Sequence, residues 1–128
     1  MGWFSSKKKE TNKVSRGNVN WVPLIDMEQL TQIKEESKTI PVLILKHSIR
    51  CSVSLMAKNQ LDRNWDIDND KIKTYYLDLL KYRPISNQIA EDFGVYHQSP
   101  QILLIKNGEC NYTATHSSID ARAIKQNL

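Results

Sequence analysis

The chain has 128 residues, of which 40% are hydrophobic and 25% charged, so it is read as one globular domain large enough to bury a core. Its net charge of +4 is carried by Lys7, Lys8, Lys9, Lys13 and Arg16 against Glu10 within residues 1–20. The remaining residues are therefore charge-balanced, which argues against a basic nucleic-acid face. No apolar run reaches the roughly 18 residues needed to span a bilayer, the N-terminal stretch has no signal-like apolar segment, and two cysteines make no disulfide framework. A reducing, cytoplasmic setting is the expectation.

Residues 1–20, rich in Ser, Lys and Asn, are read as a disordered basic tail, and residues 21–128 as the domain. Met1-Gly2-Trp3-Phe4-Ser5-Ser6 fits the myristoylation spacing formally. That pattern is short and matches by chance, so a solvated tail with no firm membrane association is the preferred reading. Trp21 to Leu24 is expected as an edge strand, since Pro23 cannot donate in a ladder. Asp26 is placed as N-cap of a helix over Met27 to Ser37, with Leu30, Ile33 and Lys34 at helical spacing. Pro41 to Leu45 is a near-continuous apolar strand of the kind buried on both faces.

After that strand comes a polar elbow, Lys46 to Cys51, and then a helix over Ser52 to Arg63 with Leu55, Met56 and Leu61 expected inward. A thiol at a strand-to-helix junction lies where amide N–H groups and the helix dipole favour an anion, so Cys51 is expected to be a low-titrating nucleophile. Asp66-Ile67-Asp68-Asn69-Asp70 hints at a calcium loop, but Lys71 and Leu77 stand where Gly and Glu are required, leaving a solvated acidic loop. Lys73 to Asp78 reads as a strand. A helix over Ile85 to Phe93 has Pro84 near its start and Gly94 at its end. Strands over Gln101 to Lys106 and Glu109 to Thr115 flank an Asn107-Gly108 hairpin turn, and Asp120 to Leu128 closes as a helix. The early alternation implies parallel strands with right-handed crossovers.

Three segments carry a resemblance: Lys46-His47-Ser48-Ile49-Arg50-Cys51-Ser52-Val53-Ser54, His97-Gln98-Ser99-Pro100-Gln101, and Leu104-Ile105-Lys106-Asn107-Gly108-Glu109-Cys110. Together they resemble the monothiol bacilliredoxins of the YtxJ type, over roughly residues 20 to 128. The resemblance implies an α/β, thioredoxin-like fold: a central mixed sheet flanked by helices, ending in an antiparallel hairpin and a final helix. It also implies removal of bacillithiol from protein mixed disulfides, and a cis peptide before Pro100 that turns the Ser99 backbone toward the thiol. One position departs from the family pattern: Ser52 stands where proline usually follows the cysteine.

The chemistry also emerges from the residues. Cys51 and Ser54 form C-x-x-S, so the chain lacks the second thiol with which a dithiol protein resolves its own mixed disulfide. An external small thiol, with bacillithiol as the expected co-substrate, must do so, and the expected partners are S-thiolated proteins. Arg50 is a candidate to stabilise the thiolate and Ser54 to hydrogen-bond it, with ordinary first-turn polarity as the alternative for Ser54. Lys46 and His47 are weaker candidates, and Lys46 is read as closing its strand. Ser52, Ser99 and Pro100 are candidate substrate contacts. His97 is a candidate imidazolium near the thiolate, against an exposed loop histidine, and His116 is a minor one. Cys110 belongs at the far end of the hairpin, about 15–20 Å from Pro100 at strand spacing, too far to resolve Cys51.

No zinc-ligand spacing links the three histidines and two cysteines, and four glycines form no phosphate loop, so no metal or bound cofactor is expected. Two other readings stay open. One is a non-catalytic ligand holder, such as an iron–sulfur carrier, although those usually carry C-G-F-S where this chain has Ser52-Val53. The other is a redox-inactive adaptor. Oligomeric state is left open.

Overall fold

A computed structural model describes residues 19–128. The expectations for the tail therefore lie outside the described residues, except at its end. There Val19 packs on the core and the Asn20 carbonyl accepts a 2.9 Å bond from the Thr74 hydroxyl, so the domain begins before Trp21.

The elements are β1 (Trp21–Pro23), α1 (Glu28–Glu36), β2 (Val42–His47), α2 (Ser52–Arg63), β3 (Lys73–Asp78), α3 (Arg83–Phe93), β4 (Gln101–Lys106), β5 (Glu109–Thr115), a 3-10 turn (His116–Ser118) and α4 (Ala121–Gln126). The strands form one sheet in the order β1-β3-β2-β4-β5. β1 and β2 run parallel to β3, while β2–β4 and β4–β5 are antiparallel, so the sheet is mixed, as the sequence pattern implies. β1 and β5 are its edges, and β5 carries a bulge opposite Leu104 and Ile105.

All six residues of β2 are buried because it is the central strand, covered on both faces. Side chains alternate across a strand, so β2 divides its residues between two cores. Leu43 and Leu45 join Leu61, Trp65, Ile102, Leu104 and Ile124 beneath α2 and α4. Val42 and Ile44 join Leu30, Ile33, Ile85, Ile89, Leu103 and Ile105 beneath α1 and α3.

Local chemistry sets the element ends. Asp26 Oδ1 accepts from the Glu28 N–H at 3.1 Å, and Gln29 Oε1 accepts from the Asp26 N–H at 2.9 Å. This is a reciprocal capping box centred on Asp26, although helical backbone already begins at Met27. Gly94 ends α3 in the left-handed conformation (φ 62°). Asn107 (φ 55°) and Gly108 (φ 77°) form a two-residue hairpin turn whose positive φ values match the twist of the flanking strands.

Two expectations need correction. First, β2 runs on to His47 instead of stopping at Leu45, so Lys46 and His47 belong to the sheet and are buried. Second, Leu55 and Met56 face outward, Met56 being 67% exposed. The inward residues of α2 are Ser54, Ala57 and Leu61, at helical spacing, because Ser54 is drawn down to the elbow.

Candidate functional site

β2 and β3 end, and β4 begins, at the same edge of the sheet, because β2 is parallel to β3 and antiparallel to β4. The elbow that carries Cys51 and the loop that carries Ser99–Pro100 therefore meet at one end. Lys46 and Gln101 are register partners there.

The elbow is organised by Ser48, which is buried. Its carbonyl accepts from the Cys51 N–H at 3.2 Å, and its hydroxyl accepts from the Arg50 N–H at 3.3 Å. Its own N–H donates to Ser54 Oγ at 3.3 Å. Ser54, fully buried, thus fastens the elbow through this bond with Ser48.

Cys51 is the extended residue immediately before α2, and its carbonyl accepts the first helical bond, from Leu55 N–H at 3.0 Å. It is a free, partly exposed cysteine whose side chain makes no capping hydrogen bond. A residue at this position has the unpaired amides of the first helical turn close by. Ser52, the first residue of α2, is exposed. Arg50 is exposed too and lines a shallow groove with Ile49, Asp78, Leu80 and Lys81.

Facing the elbow is the loop before β4. The Ser99–Pro100 peptide is cis, Pro100 is buried, and its carbonyl accepts from the His116 N–H at 3.1 Å. His116 therefore reaches this end through its backbone, while its side chain is exposed. Buried Gln101 holds the loop from β4: its Oε1 accepts from Gln98 N–H (3.3 Å) and its Nε2 donates to the Tyr96 carbonyl (3.0 Å).

His97 Nδ1 lies 3.2 Å from Lys46 Nζ and 3.3 Å from Ser86 Oγ. Burial, then the charges of Lys46 and Arg83, push its pKa below the ordinary histidine value. Burial and the neighbouring ammonium thus disfavour the imidazolium form that the sequence suggests for this ring. Lys46 itself is fully buried, and burial lowers its pKa to about 8.

On the opposite face of β2, burial lowers the pKa of His47, with Lys58 adding to the effect and Asp78 and Asp62 opposing it. Its Nδ1 is buried with no hydrogen-bond partner among the described residues.

Cys110 pairs in register with Ile105, four residues along β4 from Gln101 and so about 13 Å from the site end. Its thiol donates to the Tyr112 carbonyl at 3.4 Å, and burial pushes its pKa up. The elbow residues Cys51, Arg50, Ser52 and Ser54 and the loop residues His97, Ser99 and Pro100 thus lie at the same end of the sheet, and Cys110 lies apart from them.

Three supporting residues escape sequence reasoning: Ser48, Ser86 and Gln101. Ser86 has a visible signal, since it interrupts the apolar face of α3 between Ile85 and Ile89.

Comparison with known proteins places this arrangement. A solved thioredoxin-fold protein described as a candidate oxidoreductase is 30% identical, with a TM-score of 0.71 over 83% of this chain and 91% of its own. The thioredoxin Mala s 13 of Malassezia sympodialis is 22% identical, with a TM-score of 0.64 over 89% of this chain and 90% of its own. Thioredoxin O2 of Arabidopsis thaliana, in its oxidised state, is 16% identical, with a TM-score of 0.58 over 88% of this chain and 95% of its own. The fold is thus that of thioredoxin, and the role is one in thiol redox chemistry. The model of the monothiol bacilliredoxin family matches residues 22–124, and the chain belongs to that family.

Proposed function

We propose that this protein is a monothiol thiol–disulfide oxidoreductase that removes bacillithiol from mixed disulfides on proteins, with Cys51 as the nucleophile. The observation that carries the reading is the separation of the two cysteines: one free at the start of α2 beside the cis-proline loop, the other about 13 Å along the sheet.

The Cys51 thiolate attacks the bacillithiol sulfur of a mixed disulfide. The S–S bond breaks, the client leaves as a thiolate that takes up a proton, and bacillithiol stays on Cys51. With Cys110 out of reach, a second bacillithiol thiolate attacks the adduct, releases the symmetric bacillithiol disulfide and frees Cys51. Client and enzyme thiols end reduced, and two bacillithiols end oxidised to one disulfide. The first-turn amides of α2 and the Arg50 guanidinium favour negative charge on Cys51. Ser54 acts indirectly by fixing the elbow, Ser52 lies beside the leaving sulfur, and the Ser99 backbone receives the client chain.

Intact mass and release kinetics with a bacillithiol-modified client protein test this. Wild type and Cys110→Ala should take up one bacillithiol and free the client, while Cys51→Ala should do neither. If neither wild type nor Cys110→Ala acquires the adduct, the reading fails.

A further inference from the structure

Lys46 is a fully buried lysine whose hydrogen bonds go to uncharged acceptors. Its ammonium donates to the Ser86 carbonyl and to His97 Nδ1, each at 3.2 Å. Among the described residues no carboxylate lies within salt-bridge distance of it. A charge is costly to bury without a counter-charge, so a lysine here needs a reason that leucine or methionine would not supply.

The bond to His97 supplies one. An ammonium has three donors and no acceptor. A ring nitrogen that faces it must therefore accept, which puts the ring proton on Nε2. Burial leaves Lys46 with a pKa of about 8, so the ammonium is present at neutral pH. Burial first, and then the same charge together with Arg83, disfavour a second proton on the ring. Ser86 Oγ, at 3.3 Å from Nδ1, adds a second donor from α3 to the same atom.

The placement matters because His97 lies two residues before Ser99 and three before Pro100. Lys46 grips the loop from β2 through the ring, and its register partner Gln101 grips it from β4 through Tyr96 and Gln98. The loop facing the Cys51 elbow is thus held from two central strands at once.

We infer that Lys46 is a positioning residue for client exchange: it locks His97 as the neutral Nε2–H tautomer and so sets the loop that presents Ser99 to the client chain. The inference rests on the oxidoreductase reading for its consequence, and on the Lys46–His97–Ser86 geometry for its structure.

Ring 15N NMR of histidine-labelled full-length protein at pH 7 tests the lock directly. Wild type should show His97 neutral, with Nδ1 unprotonated and Nε2 protonated. In Lys46→Met, removal of the neighbouring charge should raise the His97 pKa and mix the tautomers. The same variant should release client from a bacillithiol-modified protein roughly tenfold more slowly, mainly through KM. Its reaction with the small symmetric bacillithiol disulfide, which needs no client-binding loop, should stay within about twofold of wild type.

A wild-type ring that is charged or protonated on Nδ1 overturns the inference, and needs no variant to fold. So does a Lys46→Met protein with an unchanged ring, or one slowed equally toward both disulfides. If wild type releases no client at all, the oxidoreductase reading fails, while the ring readout still decides the Lys46–His97 assignment.

Discussion

The two ends of the sheet solve different problems, and each carries one cysteine. At the hairpin end, turn chemistry is conventional: Asn107 and Gly108 take the positive φ values, and Ser37 receives both their amides, through its carbonyl and its hydroxyl, at 2.8 Å each. Cys110 sits there against the α1/α3 core, bonded to a backbone carbonyl. At the site end the buried groups are polar: Lys46, His47, Ser48, Ser54, Ser86 and Gln101. Stability alone would fill such positions with apolar side chains, so this concentration of buried polarity marks where the molecule has another task. Cys51 follows directly on this polar cluster, whereas Cys110 packs against an apolar core.

Exchange kinetics probe this contrast most severely. Cys51→Ser should reduce client release to the uncatalysed background, a loss of at least about a thousandfold. Cys110→Ser should stay within about twofold, and a large loss there would make the two ends equivalent. Next in size is Ser54→Ala. It leaves the buried Ser48 N–H without its acceptor, and we expect a loss of about 1–3 kcal/mol in a denaturant titration.

Lys46→Met should move stability the other way while impairing client exchange. The pKa of Lys46 is depressed to about 8 from 10.5, so the unfolded chain holds more protons between those values. The folded state is therefore penalised below pH 8, and the penalty fades as pH rises toward 10.5. Methionine removes the charge but leaves two acceptors less well paired, for a net gain of about 1–2 kcal/mol at pH 7. That gain should shrink through the same pH window in parallel chemical melts, and a constant gain would contradict the origin given for it.

Thiol alkylation followed by mass spectrometry separates the two cysteines in one tube. Burial raises the Cys110 pKa, so at pH 7 its thiol should label slowly and speed up on alkalinisation or unfolding. Labelling of Cys110 in the folded protein at its unfolded rate would erase the distinction. The smallest effect is expected for Ser52→Pro. The first helical position tolerates proline, so the change should add about 0.5–1 kcal/mol without altering the fold, read as a shift in Tm.

Element type and order are legible throughout the sequence, because capping at Asp26, the Asn107–Gly108 turn and the apolar runs of β2 and β4 each act locally. Cys51 is legible as the candidate nucleophile from its place between a strand and a helix. Properties decided across the sheet are not. Lys46 reads as a strand terminator in one dimension, yet it follows Val42 and Ile44 on the same face and lands between Ser86 and His97. Leu55 and Met56 read as core by hydrophobicity, but the phase of α2 is set by Ser54 turning toward Ser48. In both cases a polar contact with a distant or upstream residue outweighs the local pattern.

The edges of the sheet have a further consequence. β1 is three residues long and ends in Pro23, while β5 is bulged and mostly polar on its outer side. Short, proline-ended and bulged borders are poor templates for strand addition between molecules. Both borders of the sheet thus disfavour edge-to-edge pairing between molecules, and the end that carries Cys51 and the cis-proline loop lies away from them, at the termini of the central strands.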